Sequence, residues 1–291
     1  MEWKNLEIQD KEIVDEYTKG KFITCDYNFS NQILWSIGEK TKYKVEDNIL
    51  LIKGIYENEE YYYMPIPKDE SVEVLNTWKE KIKNIINENK RIILVPEYWK
   101  KLLEDTFILE ERRESFDYIY NSQDLGTLKG RKYSKKKNRI NNFNKLYSYT
   151  YETIDEKNIC EVIKFQEEWC QNRECYSIPV LNNENIGIMH ILHNFDKLDL
   201  IGAMIKIDGK VIAYSLGEVL NDEYAVIHIE KGLNNYIGSY QMINYLFAQN
   251  EFSKCKYINR EDDFGDEGLR EAKESYHPAF LLKKYEIVGI K

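Results

Sequence analysis

The spacing of apolar residues along the chain predicts alternating helices and strands. In the first half, apolar positions recur three or four residues apart over residues 72–89, which is typical of an amphipathic helix. Short apolar or alternating runs at residues 49–56 and 91–95 predict strands. The same patterns predict further helices at 10–19, 97–104 and 156–172, and further strands at 61–66, 114–121 and 148–153.

The second half of the chain predicts a run of three strands followed by a helix. Strands are predicted at residues 200–207, 210–220 and 223–230, and Asp208-Gly209 and Asn221-Asp222 fit two-residue hairpin turns between them. These three strands form an antiparallel meander. The remaining elements are predicted as a helix at 241–250, a strand at 256–260, a helix at 266–275 and a final strand at 280–288.

The last meander strand carries polar residues that alternate with apolar ones. Alternation places Tyr224, Val226, His228 and Glu230 on one face of the strand. If Asn221-Asp222 is a two-residue turn, Ser215 of the preceding strand lies directly opposite His228.

Composition limits the class of protein. A chain of 291 residues with 43% apolar residues can fold as one large or two smaller globular domains. No apolar run approaches the roughly 20 residues that a membrane span needs. The acidic, polar N-terminus does not resemble a signal peptide, so we expect a cytoplasmic protein. The five cysteines lack the spacing of a zinc site, which predicts free thiols and no metal.

Charge is distributed unevenly along the chain. The net charge is -9, yet residues 125–151 contain eight cations and no carboxylate. One interpretation is the solvated face of a lysine-rich helix. The other is a surface that binds one large polyanion, either tRNA or an anionic membrane surface. The candidate polyanion-binding residues are Arg131, Lys132, Lys135, Lys136 and Arg139.

Residues 261–267 contain five carboxylates among seven residues. Asp266 and Glu267 are explained by the start of a helix, where negative charge is favourable. The preceding three follow the end of a predicted strand and lack that explanation. We therefore consider an amine-binding group, for an acceptor or an aminoacyl donor, formed by Glu261, Asp262 and Asp263.

The resemblance to a known family rests on three stretches: YAVIHIEKGLNNYIGSYQMINYLFA, YINREDDFGDEGLREAKESYHP and LGTLKGRKYSKKKNRINNF. They resemble uncharacterised bacterial proteins grouped with the phosphatidylglycerol lysyltransferase C-terminal domain, and the element order resembles the GNAT (acyl-CoA N-acyltransferase) fold. The resemblance implies an α+β protein with two GNAT-like domains in tandem, as in Fem-type peptidyltransferases. Each domain would be a mixed, mostly antiparallel twisted sheet flanked by helices. The implied domains are 1–121 and 122–291, with the active site in the second.

The turn before residues 241–250 corresponds to the phosphate-binding turn of acetyltransferases, where the pattern is Gln/Arg-x-x-Gly-x-Gly/Ala. Gly238 matches that pattern, Asn235 replaces the long polar residue, and Tyr240 stands where a very small side chain is expected. Gly238 is equally consistent with a glycine that only starts the helix. The residues that the resemblance implies for donor phosphate binding are Lys231, Asn235, Gly238 and Ser239.

The resemblance also implies catalytic residues. Glu230 would deprotonate an attacking amine, unless it only pairs with a neighbouring cation. His228 would do the same, or would be a hydrogen-bonded core histidine. Tyr276 matches, by position alone, the acid that protonates the leaving group.

The expected function is acyl transfer, specifically aminoacyl transfer from aminoacyl-tRNA to a small amine or hydroxyl acceptor. The alternatives are an acetyl-CoA-dependent N-acetyltransferase and a non-catalytic binding protein on the same fold. We expect no tightly bound cofactor, because the acyl donor would be aminoacyl-tRNA or acyl-CoA.

Overall fold

Two sheets organise the chain in the computed structural model, which describes residues 2–291. The first unit runs to Asp117 and also includes Asp262–Asp266 and Leu282–Lys291; the second comprises Tyr118–Glu261 and Glu267–Leu281. The sequence-based division after residue 121 assigned everything beyond it to the second domain. The two later returns of the chain to the first unit were therefore not predicted.

The first unit contains an eight-stranded sheet in which a strand from the end of the sequence lies between two strands from its first half. The order is β1-β2-β3-β4-β6-β15-β7, with β5 paired to β3. The strands are β1 (Lys4–Asn5), β2 (Lys42–Glu46), β3 (Ile49–Tyr56), β4 (Glu59–Tyr63), β5 (Ile66–Pro67), β6 (Arg91–Pro96), β7 (Phe107–Glu111) and β15 (Lys284–Ile290). The helices are α1 (Lys11–Thr18), α2 (Phe29–Ser36), α3 (Val72–Asn87) and α4 (Glu97–Leu103).

Helix α3 shows how the sequence pattern produces the packing of the first unit. Its buried residues are Val74, Trp78, Ile82 and Ile85, which recur at helical spacing as predicted. Trp78 is completely buried, and its indole nitrogen donates a 2.7 Å hydrogen bond to the carbonyl of Pro65. Burying this large ring while satisfying its one polar atom fixes α3 in place.

An ionic cluster is buried inside the first unit. The ammonium group of Lys284 lies 2.5 Å from a carboxylate oxygen of Asp26 and 2.7 Å from one of Asp117. Lys284 and Asp117 are completely buried, and the thiol of Cys25 lies 3.2 Å from Asp117. Cys25, Asp26 and Asp117 could ligate a metal by their spacing. The lysine already supplies the cation that these groups face.

The second unit contains a seven-stranded sheet with the order β14-β8-β13-β12-β11-β10-β9. Its strands are β8 (Asp117–Asn121), β9 (Thr150–Thr153), β10 (Ile201–Ile207), β11 (Lys210–Val219), β12 (Tyr224–Gly232), β13 (Tyr257–Asn259) and β14 (Phe280–Leu282). Its helices are α5 (Ser122–Thr127), α6 (Ser134–Leu146), α7 (Ile159–Asn172), α8 (Pro179–His193), α9 (Ser239–Asn250) and α10 (Glu267–Glu274).

The meander is the part of the second sheet that positions the candidate site. β10, β11 and β12 pair antiparallel as predicted. β12 then pairs parallel with β13, but only as far as Val226 and Asn259. Since β12 continues to Gly232, its last six residues extend beyond β13 and leave the sheet open at this point.

The predicted register between β11 and β12 is wrong. Ser215 pairs with Glu230 rather than with His228, because the register shifts between Leu216 and Gly217. The shift leaves His228 as the extra residue of a β-bulge, which reverses the alternation of the residues after it. The loop is also one residue longer than predicted, since the backbone of Leu220 bonds to Tyr224.

Candidate active site

Glu230 lies near the end of β12, and its carboxylate has three donors. Both Nε and Nη2 of Arg260 donate to Oε2, at 3.1 and 2.6 Å, and the amide of Asn244 donates to Oε1 at 2.8 Å. Asn244 belongs to α9, and the bulge is what turns Glu230 towards that helix. Glu230 therefore pairs with a cation, as the second interpretation of the sequence expected, and that cation is Arg260.

Arg260 follows β13 and is enclosed by two tyrosine rings. Its guanidinium carbon lies 5.4 Å from the ring centre of Tyr120 and 4.8 Å from that of Tyr276, which is close enough for cation–π attraction. Burial lowers the pKa of Arg260, but the charge of Glu230 more than compensates and raises it. The third nitrogen, Nη1, is buried and has no hydrogen-bond partner among residues 2–291.

Tyr276 comes after α10 and is 5% exposed. Burial raises the pKa of Tyr276 to about 12, against the opposing effect of Arg260. The hydroxyl therefore keeps its proton at neutral pH and can donate it to a leaving group. Glu230 acts on this pKa as well, which brings two of the three predicted catalytic residues into one site.

The basic helix α6 lies against the same site. The ammonium of Lys136 sits 4.0 Å from the ring centre of Tyr276. Burial, with the charges of Arg260 and Arg139, lowers the pKa of Lys136 to about 8. Gly238 permits this arrangement, because a side chain there would meet the carbonyl of Arg139 at 3.2 Å. The charges of Arg260, Arg139 and Lys136 thus surround Tyr276, and the carboxylate of Glu230 partly balances them.

The remaining predicted polyanion-binding residues lie on the exposed side of the same segment. Arg131 and Lys132 are exposed in a short 3-10 turn, and Lys135 and Arg139 are exposed on α6. Lys132 lies 3.5 Å from Asp124, which is a weak surface pair. Positive charge therefore continues from Lys136 at the site to the surface of the second unit.

His228 has the environment of a hydrogen-bonded core histidine, which is the second of the two interpretations that the sequence allowed. Nδ1 bonds to Glu261 at 2.7 Å and Nε2 bonds to Glu218 at 3.0 Å. Burial lowers the pKa of His228, but these two carboxylates outweigh it and raise the pKa to about 9. With both ring nitrogens occupied, this histidine has no free position to accept a proton, so we assign it no proton transfer.

The predicted donor phosphate-binding residues do not form a single site. Lys231 is bound to both carboxylate oxygens of Glu184 at 2.8 Å and covers the ring of Trp169 at 4.3 Å. The Ser239 hydroxyl donates to the carbonyl of Leu233. Asn235 is the one member of the predicted set that offers a free polar side chain, since Gly238 has none.

The three carboxylates predicted to bind an amine are separated by their own partners. Glu261 bonds to His228, whereas Asp263 is completely buried and bonds to Arg113 at 3.1 Å. Asp262 accepts the backbone N–H of Phe264 and lies, with Asp263, in the first unit. These contacts explain the acidic segment as three separate structural roles, and they do not bring its carboxylates together around one amine.

Sequence reasoning missed Arg260, Asn244 and Glu218. Glu218 had a visible signal, because it is a charged residue inside an otherwise apolar strand, YSLGEV. Arg260 had none beyond its position at a strand end. Its pairing with Glu230 joins residues 30 apart across the open part of the sheet, which no local pattern reveals.

The assembled site has the groups that acyl transfer needs. Glu230 can take a proton, Tyr276 can give one, and Arg260 has an unused donor for developing negative charge. The fold resembles that of FemX, with 10% identity over 98% of this chain and 97% of that chain and a TM-score of 0.54. This likeness shows the fold, which is the GNAT-like fold that the sequence predicted.

The chain belongs to the family described as phosphatidylglycerol lysyltransferase, C-terminal, whose model matches residues 19–288. A conserved protein of unknown function from Bacteroides thetaiotaomicron is 33% identical, covers 99% of both chains and has a TM-score of 0.87. L-PGS from Bacillus licheniformis has 14% identity over 97% of this chain and 92% of that chain, with a TM-score of 0.65.

Similarity to a curated protein is more limited. The chain is 27% identical over 192 residues to the uncharacterised protein MYCGA3080 of Mycoplasmoides gallisepticum. That match spans 64% of this chain and 60% of the length of the relative.

The predicted family and fold class are confirmed by the family match and the solved structures. No helix among residues 2–291 has both the length and the apolar character to cross a bilayer.

Proposed function

We propose that the second unit transfers an aminoacyl group from aminoacyl-tRNA to a small amine or hydroxyl acceptor. The observation that carries this proposal is the convergence of Lys136 on Tyr276, because it joins a basic surface to an acid–base pair. An anionic carrier would dock along α6 and extend its aminoacyl ester towards Tyr276. Phosphate contacts of this kind position a nucleic acid without reading its sequence.

The proposed chemistry uses one base and one acid. The acceptor nitrogen or oxygen attacks the ester carbonyl, and Glu230 takes the proton that the acceptor loses. The new bond to the carbonyl carbon forms as the ester bond to the ribose oxygen breaks. Tyr276 gives its proton to that oxygen, so the products are the acylated acceptor and deacylated tRNA.

Arg260 would support both steps. Its Nε and Nη2 hold Glu230 in place, and its unpartnered Nη1 is a donor for the oxyanion that forms on the carbonyl. The backbone near Gly238 is less suited to this task, since the N–H of Ser239 already bonds to Tyr236. A buried donor without a partner is costly to the free protein, which favours a role in binding.

Two features weigh against coenzyme A as the donor. In GNAT folds the reaction site lies where the meander strand separates from its neighbour. Here the Glu230–Arg260 pair crosses that separation. Tyr240 also stands where a small residue is expected, and its hydroxyl lies 3.1 Å from the indole nitrogen of Trp169. Coenzyme A binding measured by calorimetry tests this alternative directly.

The decisive experiment measures tRNA retention as a function of salt. The triple variant Arg131→Glu, Lys135→Glu, Arg139→Glu should lose tRNA in a gel shift, and the unchanged protein should lose affinity steeply as salt rises. Lys254→Glu is the matched control, because Lys254 is an exposed cation of the same unit outside the basic segment. Transfer is then followed as loss of the aminoacyl group from tRNA when acceptor is added.

The outcomes separate the competing functions. Equal retention by the triple variant and the control would remove tRNA as the partner. Binding of the unchanged protein, but not the triple variant, to anionic vesicles in place of tRNA would favour a membrane surface. A non-catalytic binding protein would be favoured by two results together. The protein would retain tRNA without any transfer, and the variants Glu230→Gln and Tyr276→Phe would still complement a deletion in cells.

A further inference from the structure

A second concave feature of the second unit has no role in the chemistry described above. It is a cleft of about 510 Å³ between the end of α7 and the chain that follows β12. The α7 side contributes Trp169, Asn172 and Arg173, and the other side contributes Gly232, Asn234 and Asn235. This volume lies within the range of small-molecule sites, which is roughly 300 to 1,000 Å³.

Most polar side chains that line the cleft lack partners among residues 2–291, and the exception is Glu168, whose charge is balanced by Lys210 at 2.8 Å. The amide side chains of Asn172, Asn234 and Asn235 have no hydrogen bond to any of residues 2–291. Arg173 has no ion pair among the same residues, and its guanidinium carbon lies 5.7 Å from the ring centre of Trp169. By contrast, the cations Lys231 and Lys210 beside this wall are both paired with glutamates. These side chains are exposed and bind water in the free protein, so they are available to a ligand.

The walls of the cleft are held in fixed positions. The indole nitrogen of Trp169 donates to the carbonyl of Gly232 at 3.2 Å, which ties α7 to the end of β12. A side chain at Gly232 would meet the hydroxyl of Ser239 at 2.8 Å, so bare backbone forms this wall. The floor is thus preformed, and only the exposed Asn and Arg side chains remain to adapt to a ligand.

The cleft lies close to the proposed base. Gly232 is two residues beyond Glu230 along β12, which corresponds to roughly 7 Å in an extended strand. β13 does not cover this part of β12, because its pairing ends at Val226. A molecule held in the cleft therefore lies at the end of the strand that carries the proposed base. It would reach Glu230 around that end, because the Glu230–Arg260 pair crosses the gap beside β13 and the Glu230 side chain faces α9.

We propose that this cleft binds the acceptor, and that the acceptor is a small organic anion carrying an amine or hydroxyl group. Arg173 pairs with its carboxylate or phosphate, since the planar guanidinium suits either anion. Asn172, Asn234 and Asn235 hydrogen-bond its remaining polar groups. The identity of the ligand as the acceptor rests on the proposed function, whereas the binding of an anion at Arg173 does not.

Calorimetry with small probes tests the site. The probes are L-aspartate and glycerol 3-phosphate, which distinguish a carboxylate from a phosphate, and glycerol as the neutral control. Arg173→Gln should weaken binding of the preferred anion about tenfold or more, as expected for loss of a charged hydrogen bond. Asn235→Trp should block the cleft and have a similar effect, since Asn235 is exposed and the substitution need not disturb the core.

Lys157→Gln is the matched control, because Lys157 is an exposed cation just before the opposite end of α7. Equal affinity of Arg173→Gln and the control for the anions, or no binding of either anion at millimolar concentration, would overturn the site. If Arg173→Gln abolishes anion binding but no transfer is ever detected, the site stands and the proposed function fails. If transfer occurs and Arg173→Gln leaves the KM for acceptor unchanged, the function stands and the site fails.

Discussion

In each unit a cation lies against one or two carboxylate groups. The two arrangements differ in how fully the charges and hydrogen-bonding atoms of these groups are paired. In the first unit, Lys284 faces Asp26 and Asp117, and the lysine has no solvent exposure. In the second unit, Arg260 keeps an unpartnered nitrogen, and Lys136 and Arg139 add further positive charge. The first is a closed structural cluster, because even Oδ2 of Asp26, which lacks a hydrogen bond among residues 2–291, lies 2.5 Å from the lysine ammonium. The second has an excess of cations.

The difference shows that burial of charge does not by itself mark a functional site. Burial raises the pKa of Asp26 to about 6 although Lys284 opposes it, so that carboxyl is as strongly perturbed as many catalytic ones. Yet Lys284 already supplies its counter-ion. An unused donor and an unbalanced charge distinguish the Arg260 site, because they are the features that a ligand can complete.

The largest expected effect comes from removing the cation of the closed cluster. Lys284→Met should lower the free energy of unfolding by about 3 to 5 kcal/mol, since it leaves two buried carboxyl groups without their cation. Urea denaturation at neutral pH measures the loss. Lys283→Met is the control, because Lys283 is exposed and should leave the midpoint unchanged. Equal midpoints for both variants would show that the cluster does not stabilise the first unit.

The next largest effect comes from removing the carboxylate of the Arg260 site. Glu230→Gln should lower kcat about 100-fold or more, because the acceptor loses its base while the side chain keeps its shape. The transfer assay with saturating tRNA measures the change. Glu223→Gln, in the exposed loop before β12, should retain full activity. Full activity of Glu230→Gln would remove this carboxylate from the mechanism.

The pH dependence of stability extends the comparison to His228. This histidine lies between two carboxylates, as Lys284 does, but it can lose its proton. Its folded pKa of about 9 exceeds the unfolded value of 6.5. Its contribution, about 3 kcal/mol, is therefore complete below pH 6.5 and is lost as the pH rises through 9. Urea titrations across this range should show the decline. It should disappear in His228→Gln and persist in His277→Gln, an exposed histidine.

The smallest effect concerns Glu39, a partly buried carboxyl group on whose pKa no cation among residues 2–291 acts. Glu39 accepts a hydrogen bond from the hydroxyl of Tyr61, and burial raises the pKa of Glu39 to about 7. Because this pKa lies above the unfolded value of 4.5, stability decreases as pH rises from 4.5 to 7. Glu39→Gln should match the unchanged protein at pH 4 and exceed it at pH 8 by about 1 to 2 kcal/mol. This is less than the roughly 3 kcal/mol that the full pKa difference implies, because Glu39 is only partly buried.

Unfolding at these two pH values measures the effect of Glu39→Gln, and Glu57→Gln, an exposed change in the following hairpin, should alter neither value. A variant of Glu39 that is less stable at pH 8 would show that the ionised carboxylate has a favourable partner.

Local patterns predicted the elements whose own sequences determine them. Helix α7 buries Phe165, Gln166 and Trp169, as helical spacing indicated, and the three meander strands are where alternation placed them. Helix α8 was not predicted. Its sequence, PVLNNENIGIMHILH, is rich in asparagine and contains glycine, so its helical propensity is low. Packing of Ile188, Ile191 and Leu192 stabilises it instead, and that packing is not local.

The candidate site was predicted in part, and its main error has one physical cause. The bulge at His228 changes the direction of every side chain after it, and alternation alone cannot detect an extra residue. A signal existed on the partner strand, because a side chain at Gly217 would come within 2.2 Å of the carbonyl of Val226. A glycine inside an apolar strand is the sequence feature that indicates such a bulge.

The position of β15 has a consequence for biosynthesis. This strand lies between β6 and β7, and it carries Lys284 into the first unit. A nascent chain therefore cannot complete its first sheet until residues 284–290 have left the ribosome, although the other strands of that sheet emerge long before. Until then, β6 and β7 have unpaired edges, and Asp26 and Asp117 lack the lysine that balances their charge. We therefore expect the early portion of the nascent chain to need protection from aggregation.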